Sequence, residues 1–301
     1  MCGHCGCGSE AKATALDLQT GAEITMEPAA HDHEHEHEHE HEHEHEHEHE
    51  HEHEHEHEHV HADGTRHSHP RRSDDAPGAD LLTLQTRILA KNDAFANKNR
   101  AWFHGREILA LNLVSSPGSG KTTLLERTIK DLKEEFKLFV VEGDQATARD
   151  GERIRAAGAA AVQINTGSGC HLEADMVGRA LQHLKPGAGS IVMIENVGNL
   201  VCPALFDLGE RGKVVIFSVT EGEDKPLKYP TMFGAAAIMI LNKIDLLPYV
   251  EFDVARAIAN AKQINPDIVV LRLSGRTGEG FEGWYEWLRK EIDAMRDAAF
   301  A

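Results

Sequence analysis

Residues 115–123, with the sequence Ser-Ser-Pro-Gly-Ser-Gly-Lys-Thr-Thr, constrain the fold of this chain more than any other segment. They follow an apolar run, 108–114, that is typical of a buried strand. They precede residues 122–135, where apolar side chains recur at helical spacing. A strand, a Gly-rich turn and a helix in this order predict a P-loop, whose backbone N–H groups surround phosphates at a helix N-terminus.

The P-loop motif assigns roles to individual residues. Lys121 is predicted to reach the β- and γ-phosphates, and the Thr122 hydroxyl is predicted to bind Mg²⁺. The usual motif begins with Gly where this chain has Ser115, so the prediction depends on context as well as on the motif. The other predicted cofactor-binding residues of this loop are Gly118, Ser119, Gly120 and Thr123.

After the P-loop, apolar runs alternate with amphipathic segments. The predicted strands are 138–141, 161–164, 191–194, 214–219, 237–241 and 268–273. The predicted helices include 173–184, 254–264 and 281–295. Strands that are apolar throughout are typical of a parallel sheet covered on both faces. The pattern therefore predicts a doubly wound, mostly parallel α/β domain with ligands at the carboxyl ends of its strands.

The net charge of the 301-residue chain is −19, but most of it has one local source. Asp32 and the thirteen Glu at even positions from 34 to 58 carry 14 negative charges, which leaves −5 for the remainder. The chain has no basic cluster for nucleic acid and no apolar run long enough to span a membrane. Cysteines next to other metal-binding side chains fit a reducing compartment, so we expect a cytoplasmic protein.

Residues 1–80 contain few apolar side chains, and we predict that they are disordered. Within them lies a His/Glu tract, residues 31–69, in which His and Glu alternate strictly from His33 to His59. Residues 71–80 are typical of a linker. The folded domain is predicted to span 81–301 and to begin with a helix of about five turns, whose packed face carries Leu81, Leu84, Ile88 and Phe95.

Asn242, Lys243 and Asp245 directly follow the predicted strand 237–241. A carboxylate at this place accepts both the N1–H and the exocyclic amine of guanine, and adenine lacks this pair of donors. Because a site built on such hydrogen bonds rejects an analogue without them, the motif favours GTP over ATP. Ser274 begins a loop after the last strand that is predicted to close on the base.

Two more loops lie where the γ-phosphate would be sensed. Asp144 follows the second strand, and we predict that it positions Mg²⁺ or the attacking water. Glu195 occupies the place of the switch aspartate of many P-loop enzymes, with Gly198 free to bring its N–H to the γ-phosphate. The alternative is that both acids merely cap helices. Because no arginine finger is evident, we expect slow hydrolysis, on the order of 10⁻⁴ to 10⁻² per second.

The first metal-binding candidate is an N-terminal hexapeptide containing Cys2, His4, Cys5 and Cys7. Three thiolates with an imidazole or the terminal amine suit Zn²⁺ in a tetrahedron or Ni²⁺ in a square plane. A redox role for the Cys-x-x-Cys pair is the alternative. We expect this site to bind metal independently of nucleotide.

The second candidate consists of Cys170, His171 and Cys202. Cys170 and His171 end a Gly-rich loop, and Cys202 lies four residues beyond Gly198. Loops from neighbouring strand ends can bring these S, N and S donors together near the nucleotide. The alternative is that they are small, half-buried residues without a ligand.

The His/Glu tract offers sixteen imidazoles from His31 to His61 at two-residue spacing. Such a run provides many overlapping weak sites for Ni²⁺, Zn²⁺ or Cu²⁺, which favours metal storage or buffering over one specific site. The alternative is a solvated polyampholyte without a function.

Five segments together resemble the hydrogenase nickel-incorporation GTPases, the HypB family. They are Ser-Ser-Pro-Gly-Ser-Gly-Lys-Thr-Thr, Glu-Gly-Asp-Gln, Gly-Cys-His-Leu, Glu-Asn-Val-Gly-Asn-Leu-Val-Cys-Pro and Asn-Lys-Ile-Asp. The resemblance covers 81–301 and the N-terminal hexapeptide, and it identifies Ser115 as the family's own variant.

The resemblance implies a function and partners. The family delivers Ni²⁺ to the [NiFe] hydrogenase large subunit, gated by GTP hydrolysis and shared with a HypA-type metallochaperone. It places a nickel site on Cys2, Cys5 and Cys7 and a Ni/Zn site on Cys170, His171 and Cys202. It also implies a GTP-dependent homodimer, with Leu246 and Val250 at the contact.

Two alternatives stay open beside this interpretation. The urease nickel GTPase also has a P-loop and often a His-rich N-terminus, but it carries Cys-Pro-His where this chain has Gly-Cys-His. A storage protein with a secondary GTPase domain is the other alternative. Deletion of 31–69 distinguishes it, because a storage tract is needed for maturation at low nickel but not at high nickel.

Overall fold

The computed structural model describes residues 13–24, 26, 56–60, 66–70, 77–144, 149–167 and 169–299. The strands are β1 (Thr14–Asp17), β2 (Glu23–Ile24), β3 (Glu56–Val60), β4 (Arg66–Pro70), β5 (Leu109–Ser115), β6 (Leu138–Asp144), β7 (Ala160–Asn165), β8 (Ile191–Glu195), β9 (Gly212–Ser218), β10 (Ala236–Asn242) and β11 (Val269–Arg272). The helices are α1 (Pro77–His104), α2 (Lys121–Leu132), α3 (Arg149–Ala157), α4 (Ala174–Leu184), α5 (Cys202–Leu205), α6 (Lys225–Lys228), α7 (Pro230–Ala235), α8 (Val254–Ile264) and α9 (Phe281–Ala299), with a 3₁₀ helix at Ile244–Tyr249.

The main sheet has nine strands among the described residues, in the order β11–β10–β9–β5–β8–β6–β7–β1–β2. From β11 to β7 all neighbours are parallel, whereas β1 is antiparallel to both β7 and β2. The P-loop strand β5 lies between β8 and β9. The predicted doubly wound, mostly parallel α/β fold is confirmed.

Side chains of β5 alternate between two apolar layers. Leu111 and Leu113 face a layer that also contains Leu124 of α2 and Trp284 of α9. Ala110 faces the opposite layer, which α1 and α4 complete. Burial of both faces explains why the strands have no polar alternation, and it holds the P-loop at one edge of the sheet.

The predicted strands and helices all occur, with strand bounds that differ by at most three residues. Helix α3 was not predicted. Its sequence, Arg-Asp-Gly-Glu-Arg-Ile-Arg-Ala-Ala, contains only one large apolar residue, Ile154, which is fully buried. A single buried side chain gives no helical periodicity for sequence reasoning to detect.

Helix α1 extends over 28 residues, and of its predicted packed face Phe95 does pack against the core, whereas Ile88 does not. Ile88 is 42% exposed, whereas Ala96, Asn99 and Phe103 are buried. Asn99 donates hydrogen bonds from Nδ2 to the carbonyls of Ala174 and Leu208. The prediction for Ile88 was therefore wrong, because the face that packs contains a polar side chain satisfied by backbone groups far away in sequence.

The prediction that residues 1–80 are disordered is wrong for the segment that forms β1 and β2. Thr14–Asp17 pairs with β7 over four residues and extends the sheet. Ala15 and Leu18 are buried, at 4% and 8% exposure. Because the His/Glu tract dominates the composition of residues 1–80, these few apolar residues gave no sequence signal of a folded segment. Because β1 belongs to the sheet, deletion of residues 1–80 would also remove two of its strands.

Residues 27–87 form a separate unit. Within it, Glu56–Val60 pairs antiparallel with Arg66–Pro70. In Glu56–Val60 the alternation of His and Glu has the period of a strand. The remainder of the His/Glu tract lies outside the described residues.

Asp17 ends β1 and gives a prediction about acid stability. Burial by itself raises the pKa of Asp17, but hydrogen bonds from His183 Nε2 (2.8 Å), Gln19 N (2.7 Å) and Thr20 outweigh it and lower the pKa from 3.8 to about 2. A carboxyl whose pKa is lowered by folding stabilises the fold above the unfolded-state pKa and loses this effect as the pH falls through the folded-state pKa.

We therefore expect Asp17→Asn to reduce the free energy of unfolding by about 1–2 kcal/mol at pH 5. The difference from the unmodified chain should shrink between about pH 4 and pH 2. Urea unfolding over this pH range measures it. Glu23→Gln, at an exposed position of β2, is the matched control. A constant difference at all pH values would contradict this role of Asp17.

Candidate functional site

The P-loop connects Ser115, the last residue of β5, to Lys121, the first residue of α2. Gly118 and Gly120 have φ of 77° and 97°, a region that L side chains rarely adopt. At Gly120 a Cβ would also lie 2.5 Å from Nδ2 of Asn242. The two glycines therefore permit a backbone turn that other residues would strain.

Lys121 and Thr122 have specific partners. Lys121 Nζ donates to Ser115 Oγ at 3.1 Å, so the serine in place of the usual glycine contacts the lysine of the motif. Thr122 Oγ1 donates to Glu195 Oε1 at 2.8 Å. This bond joins the start of α2 to the end of β8, two segments that the sequence places more than 70 residues apart.

A cavity of about 690 Å³ lies beside the P-loop. Its walls include the residues of the P-loop from Pro117 to Thr123, together with Glu195, Gly198 and Lys243. Asp144 ends β6, but its side chain and residues 145–148 lie outside the described part of the chain, so its role stays a prediction.

The residues predicted to recognise the base lie against the P-loop. Asn242 Nδ2 donates to the Ser119 carbonyl at 2.9 Å, and Lys243 Nζ donates to the Gly118 carbonyl at 2.7 Å. Ser274 Oγ donates to Asp245 Oδ1 at 2.6 Å. Of these residues Lys243 lines the cavity and Asn242 is bonded to the P-loop, while Ser274 fixes the orientation of the Asp245 carboxylate.

Glu195 is buried beside the P-loop. Burial raises the pKa of its carboxyl, and the charge of Lys121 and the hydrogen bond from Thr122 only partly offset this. Its Oε2 is buried with no hydrogen-bond partner in the part of the chain that the structure describes. An all-oxygen set formed by the Thr122 hydroxyl and the Glu195 carboxylate fits Mg²⁺, which prefers oxygen ligands.

We expect Glu195→Gln to weaken Mg²⁺ binding with nucleotide by about 10- to 100-fold, because Glu195 orients the Thr122 hydroxyl and supplies charge. The Mg²⁺ dependence of GTP hydrolysis measures this. Glu135→Gln, at an exposed Arg289 contact, is the control. An unchanged Mg²⁺ midpoint would exclude Glu195 from the metal environment.

Sequence reasoning missed several residues of this cavity. Asp150 and Arg153 of α3 line it, and Arg153 Nη2 donates to Thr123 Oγ1 at 3.2 Å. Glu221 accepts from Ser119 Oγ at 2.6 Å and therefore holds the P-loop from the loop after β9. The position of Glu221 just beyond a strand's carboxyl end was an available signal, whereas α3 gave none.

Cys170, His171 and Cys202 lie together. The two sulfurs are 2.8 Å apart, and Cys170 Sγ is 3.6 Å from His171 Nδ1. All three donor atoms lie within 4.8 Å of one another. This distance is short enough for one metal ion to contact all three donors.

The His171 ring is prepared for metal binding. Burial lowers its pKa to about 4, so the imidazole is neutral at pH 7, the form that binds metals. It lies against Phe206 with ring centroids 3.8 Å apart and ring planes tilted by 33°. Its Nε2 is buried and has no hydrogen-bond partner among the described residues.

One of the three candidate metal donors, Cys170, lines the same cavity as the phosphate loop. Cys170 is part of the wall that also contains Lys121, Thr122 and Glu195. Cys202 begins α5, and only residues 196–201 separate it from Glu195. A Cβ at Gly198, between them, would lie 3.1 Å from Pro117 of the P-loop. Movement of this segment would therefore affect both sites.

The other predicted sites are less complete in the structure. Cys2, Cys5 and Cys7 lie outside the described residues, so that site stays a prediction. Leu246 and Val250 are half-buried around the 3₁₀ helix, where Tyr249, which was not predicted, is 82% exposed. Across the described residues, no helix combines the length and apolar character needed to cross a membrane.

Comparisons with known proteins agree with this geometry. The family model described as CobW/HypB/UreG, nucleotide-binding domain, matches residues 109–272. Hydrogenase maturation factor HypB of Rhizobium leguminosarum bv. viciae is 59% identical over 218 residues, which cover 72% of each chain. The Escherichia coli strain K12 protein of the same name is 52% identical over 228 residues, covering 75% of this chain and 79% of the relative.

Solved structures give the same result. HypB from Helicobacter pylori, in complex with nickel, has a TM-score of 0.65 and 39% identity, and the match covers 68% of this chain and 96% of that one. HypB from Archaeoglobus fulgidus has a TM-score of 0.64 and 41% identity, covering 67% and 99%. The P-loop, the guanine motif and the Cys-His-Cys cluster on one domain, with these relatives, show that the chain belongs to the HypB family of hydrogenase maturation factors.

Proposed function

We propose that this chain is a GTP-hydrolysing nickel metallochaperone that delivers Ni²⁺ during the maturation of [NiFe] hydrogenase in the cytoplasm. The observation that carries the proposal is the shared cavity, in which Cys170 lies in the same wall as Lys121 and Thr122. A site for GTP and a site for a soft or borderline metal ion are thus close enough for each to affect the other. The nickel complex of the Helicobacter pylori relative supports nickel as the cargo.

Several residues of the chain have separate roles in GTP hydrolysis. Lys121 neutralises the β- and γ-phosphates, and P-loop N–H groups stabilise the charge that develops on the γ-phosphoryl oxygens. Thr122 and Glu195, with Asp144 as the further predicted ligand, would hold Mg²⁺, which supplies charge neutralisation when bound. Water attacks the γ-phosphorus, and the products are GDP and phosphate. With no arginine assigned to the transition state, the rate should be on the order of 10⁻⁴ to 10⁻² per second.

Loss of the γ-phosphate frees the segment after Glu195, which begins at the Mg²⁺ environment and ends at Cys202. We propose that GTP assembles a closed metal site and that GDP opens it for transfer. Three protein donors leave a coordination position for water or for a residue of a two-fold partner. A GTP-dependent homodimer, a HypA-type metallochaperone and the hydrogenase large subunit are the proposed partners, and Zn²⁺ is the proposed alternative occupant of the metal sites.

Complementation tests this function. In a host lacking its own maturation GTPase, the unmodified chain should restore hydrogenase activity at low nickel. Cys202→Ala and Lys121→Ala should not, whereas Val201→Ala, at the exposed neighbouring position, should. Normal hydrogenase activity with Cys202→Ala would contradict a delivery role for this site.

Urease activity, measured in the same complementation host, distinguishes a function in urease maturation from one in hydrogenase maturation. A Helicobacter pylori relative named hydrogenase/urease maturation factor HypB is 42% identical over 211 residues, covering 69% of this chain and 86% of the relative. Restoration of urease activity alone would favour that alternative. Deletion of 31–69 tests storage, since a storage tract should matter only at low nickel.

A further inference from the structure

Asn196 connects three segments of the site. It follows Glu195 and is only 1% exposed. Its Oδ1 accepts hydrogen bonds from Val197 N at 3.0 Å and from Leu172 N at 3.2 Å. Its Nδ2 donates to Asn112 Oδ1 of β5 at 3.2 Å. One buried amide thus joins the switch loop (residues 195–202) to the metal loop (residues 169–172) and to the strand that leads into the P-loop.

Asn199 makes a second connection between the same two loops. Its Nδ2 donates to the Cys170 carbonyl at 3.2 Å, while its Oδ1 accepts from Val201 N at 2.8 Å. The bonds from Asn196 and Asn199 reach Leu172 N–H and the Cys170 carbonyl, on either side of His171. The backbone that carries two of the three metal donors is therefore held by the switch loop at two points.

Asn112 is itself fixed. Its Nδ2 donates to Glu210 Oε1 at 3.1 Å, and Lys213 Nζ donates to the same oxygen at 2.8 Å. Glu210 Oε2 accepts from Leu208 N at 2.7 Å. Since Asn112, Glu210 and Lys213 are all buried, Asn112 cannot follow a displaced switch loop. Movement of that loop must therefore break the bond from Asn196 to Asn112 or the bond to Leu172.

We propose that Asn196 and Asn199 are positioning residues that couple the nucleotide to the metal site, an inference that rests on the proposed function. In the closed arrangement, their bonds hold Cys170 and His171 within reach of Cys202. When loss of the γ-phosphate displaces the switch loop, these bonds break and Cys202 separates from the other two donors. Both asparagines also line the cavity, but the hydrogen bonds of their side chains go to the backbone of the two loops, and it is through these bonds that each acts.

The alternative is that both asparagines only stabilise the fold. Asn99 is a matched control for this, because it is also buried and also bonds the backbone just after the metal loop, at the Ala174 carbonyl. Asn99 lies on α1, and its Nδ2 donates to the carbonyls of Ala174 and Leu208, both outside the switch loop. Its loss should destabilise the chain without changing the response of the metal site to nucleotide.

The experiment uses the full chain with Cys2, Cys5 and Cys7 replaced by alanine. Thiolate-to-nickel charge-transfer absorption then reports Cys170 and Cys202 alone, since the His/Glu tract contains no thiol. Ni²⁺ is titrated at buffered free concentrations, once with GDP and once with a non-hydrolysable GTP analogue. The ratio of the two dissociation constants is compared among the parent, Asn196→Ala, Asn199→Ala and Asn99→Ala. Far-ultraviolet circular dichroism checks that each variant is folded. If Asn196→Ala does not fold, the comparison of Asn199→Ala with the parent and with Asn99→Ala tests the inference.

We expect the parent to bind Ni²⁺ more tightly with the GTP analogue, by a factor in the usual range for coupled sites, roughly 5- to 150-fold. The ratio should fall to about one in Asn196→Ala and Asn199→Ala, with both nucleotides still bound, and should stay at the parental value in Asn99→Ala. Parental ratios in the first two variants, or an equal loss in Asn99→Ala, would overturn the inference alone. A ratio of one in the parent would overturn the proposed gating and the inference with it.

Discussion

Lys121→Ala is expected to reduce GTP hydrolysis by at least about 10²- to 10³-fold, the range seen when one transition-state donor is removed from a preorganised site. Lys121 lies in the cavity wall, with Nζ 3.1 Å from Ser115 Oγ at the end of β5. It is the cation of the P-loop motif, and it is predicted to reach both the γ-phosphoryl oxygens, over which charge is spread in the transition state, and the β-phosphate, which leaves. GTP binding should weaken as well, because the ground state is also anionic.

Single-turnover hydrolysis at saturating GTP, together with equilibrium binding, separates the two effects. Lys130→Ala is the matched control, because Lys130 lies on the same helix but pairs with Glu126 at the surface. Hydrolysis within threefold of the unmodified rate would contradict the role of Lys121.

Asp245→Asn is expected to change the preference between GTP and XTP by about 10⁴-fold, which is typical of sites whose buried hydrogen bonds reject an analogue. Ser274 Oγ donates to Asp245 Oδ1 at 2.6 Å, so the carboxylate that is predicted to recognise the base has a fixed orientation. A carboxylate accepts from guanine N1–H and the exocyclic amine. An asparagine amide can instead donate to the C2 carbonyl of xanthine.

Competition between the two nucleotides for a fluorescent analogue measures this preference. Asp253→Asn provides the same chemical change at the N-terminus of α8, where Asp253 Oδ1 accepts from Arg256 N. It should leave the preference unchanged. A chain with Asp245→Asn that still prefers GTP would exclude Asp245 from base recognition.

The parts of this molecule that sequence reasoning predicted are local. The P-loop requires Gly118 and Gly120 at positive φ and a helix directly after them, and consecutive residues of the sequence meet these requirements. The parallel strands have the same property, since burial on both faces makes each an uninterrupted apolar run. Fold class and the P-loop strand were therefore predictable from sequence.

The parts that it missed depend on partners distant in the chain. Asn112 interrupts an apolar strand, and only the fold shows that its amide contacts Asn196, 84 residues later. Asn99 is a polar residue on the packed face of α1. It can be buried there because it donates a hydrogen bond to the carbonyl of Leu208, 109 residues away. Strand β1 is stabilised by β7, and its apolar residues alone would not predict a strand. Burial of polar groups that find remote partners leaves no periodicity in the sequence.

The metal site lies between these two cases. The adjacent pair Cys170 and His171 is evident in the sequence, as is the proximity of Cys202 to Glu195. Their approach to a sulfur–sulfur distance of 2.8 Å depends on the loops after β7 and β8, two strands that are separated in the sheet by β6 alone. Strand order, which local sequence does not specify, thus decides whether the donors meet.

The central claim is that nucleotide and metal sites affect each other, and the affinity for nucleotide tests it most directly. Linkage requires that Ni²⁺ change the affinity for GTP relative to GDP by the same factor by which nucleotide changes the affinity for Ni²⁺. The measurement is equilibrium binding of GDP and of a non-hydrolysable GTP analogue to the full chain, with and without buffered Ni²⁺, beside a Cys170→Ala, Cys202→Ala double variant. The account predicts that Ni²⁺ strengthens binding of the GTP analogue relative to GDP, and that the double variant abolishes this effect. A nucleotide preference that is independent of Ni²⁺ in the unmodified chain would contradict it.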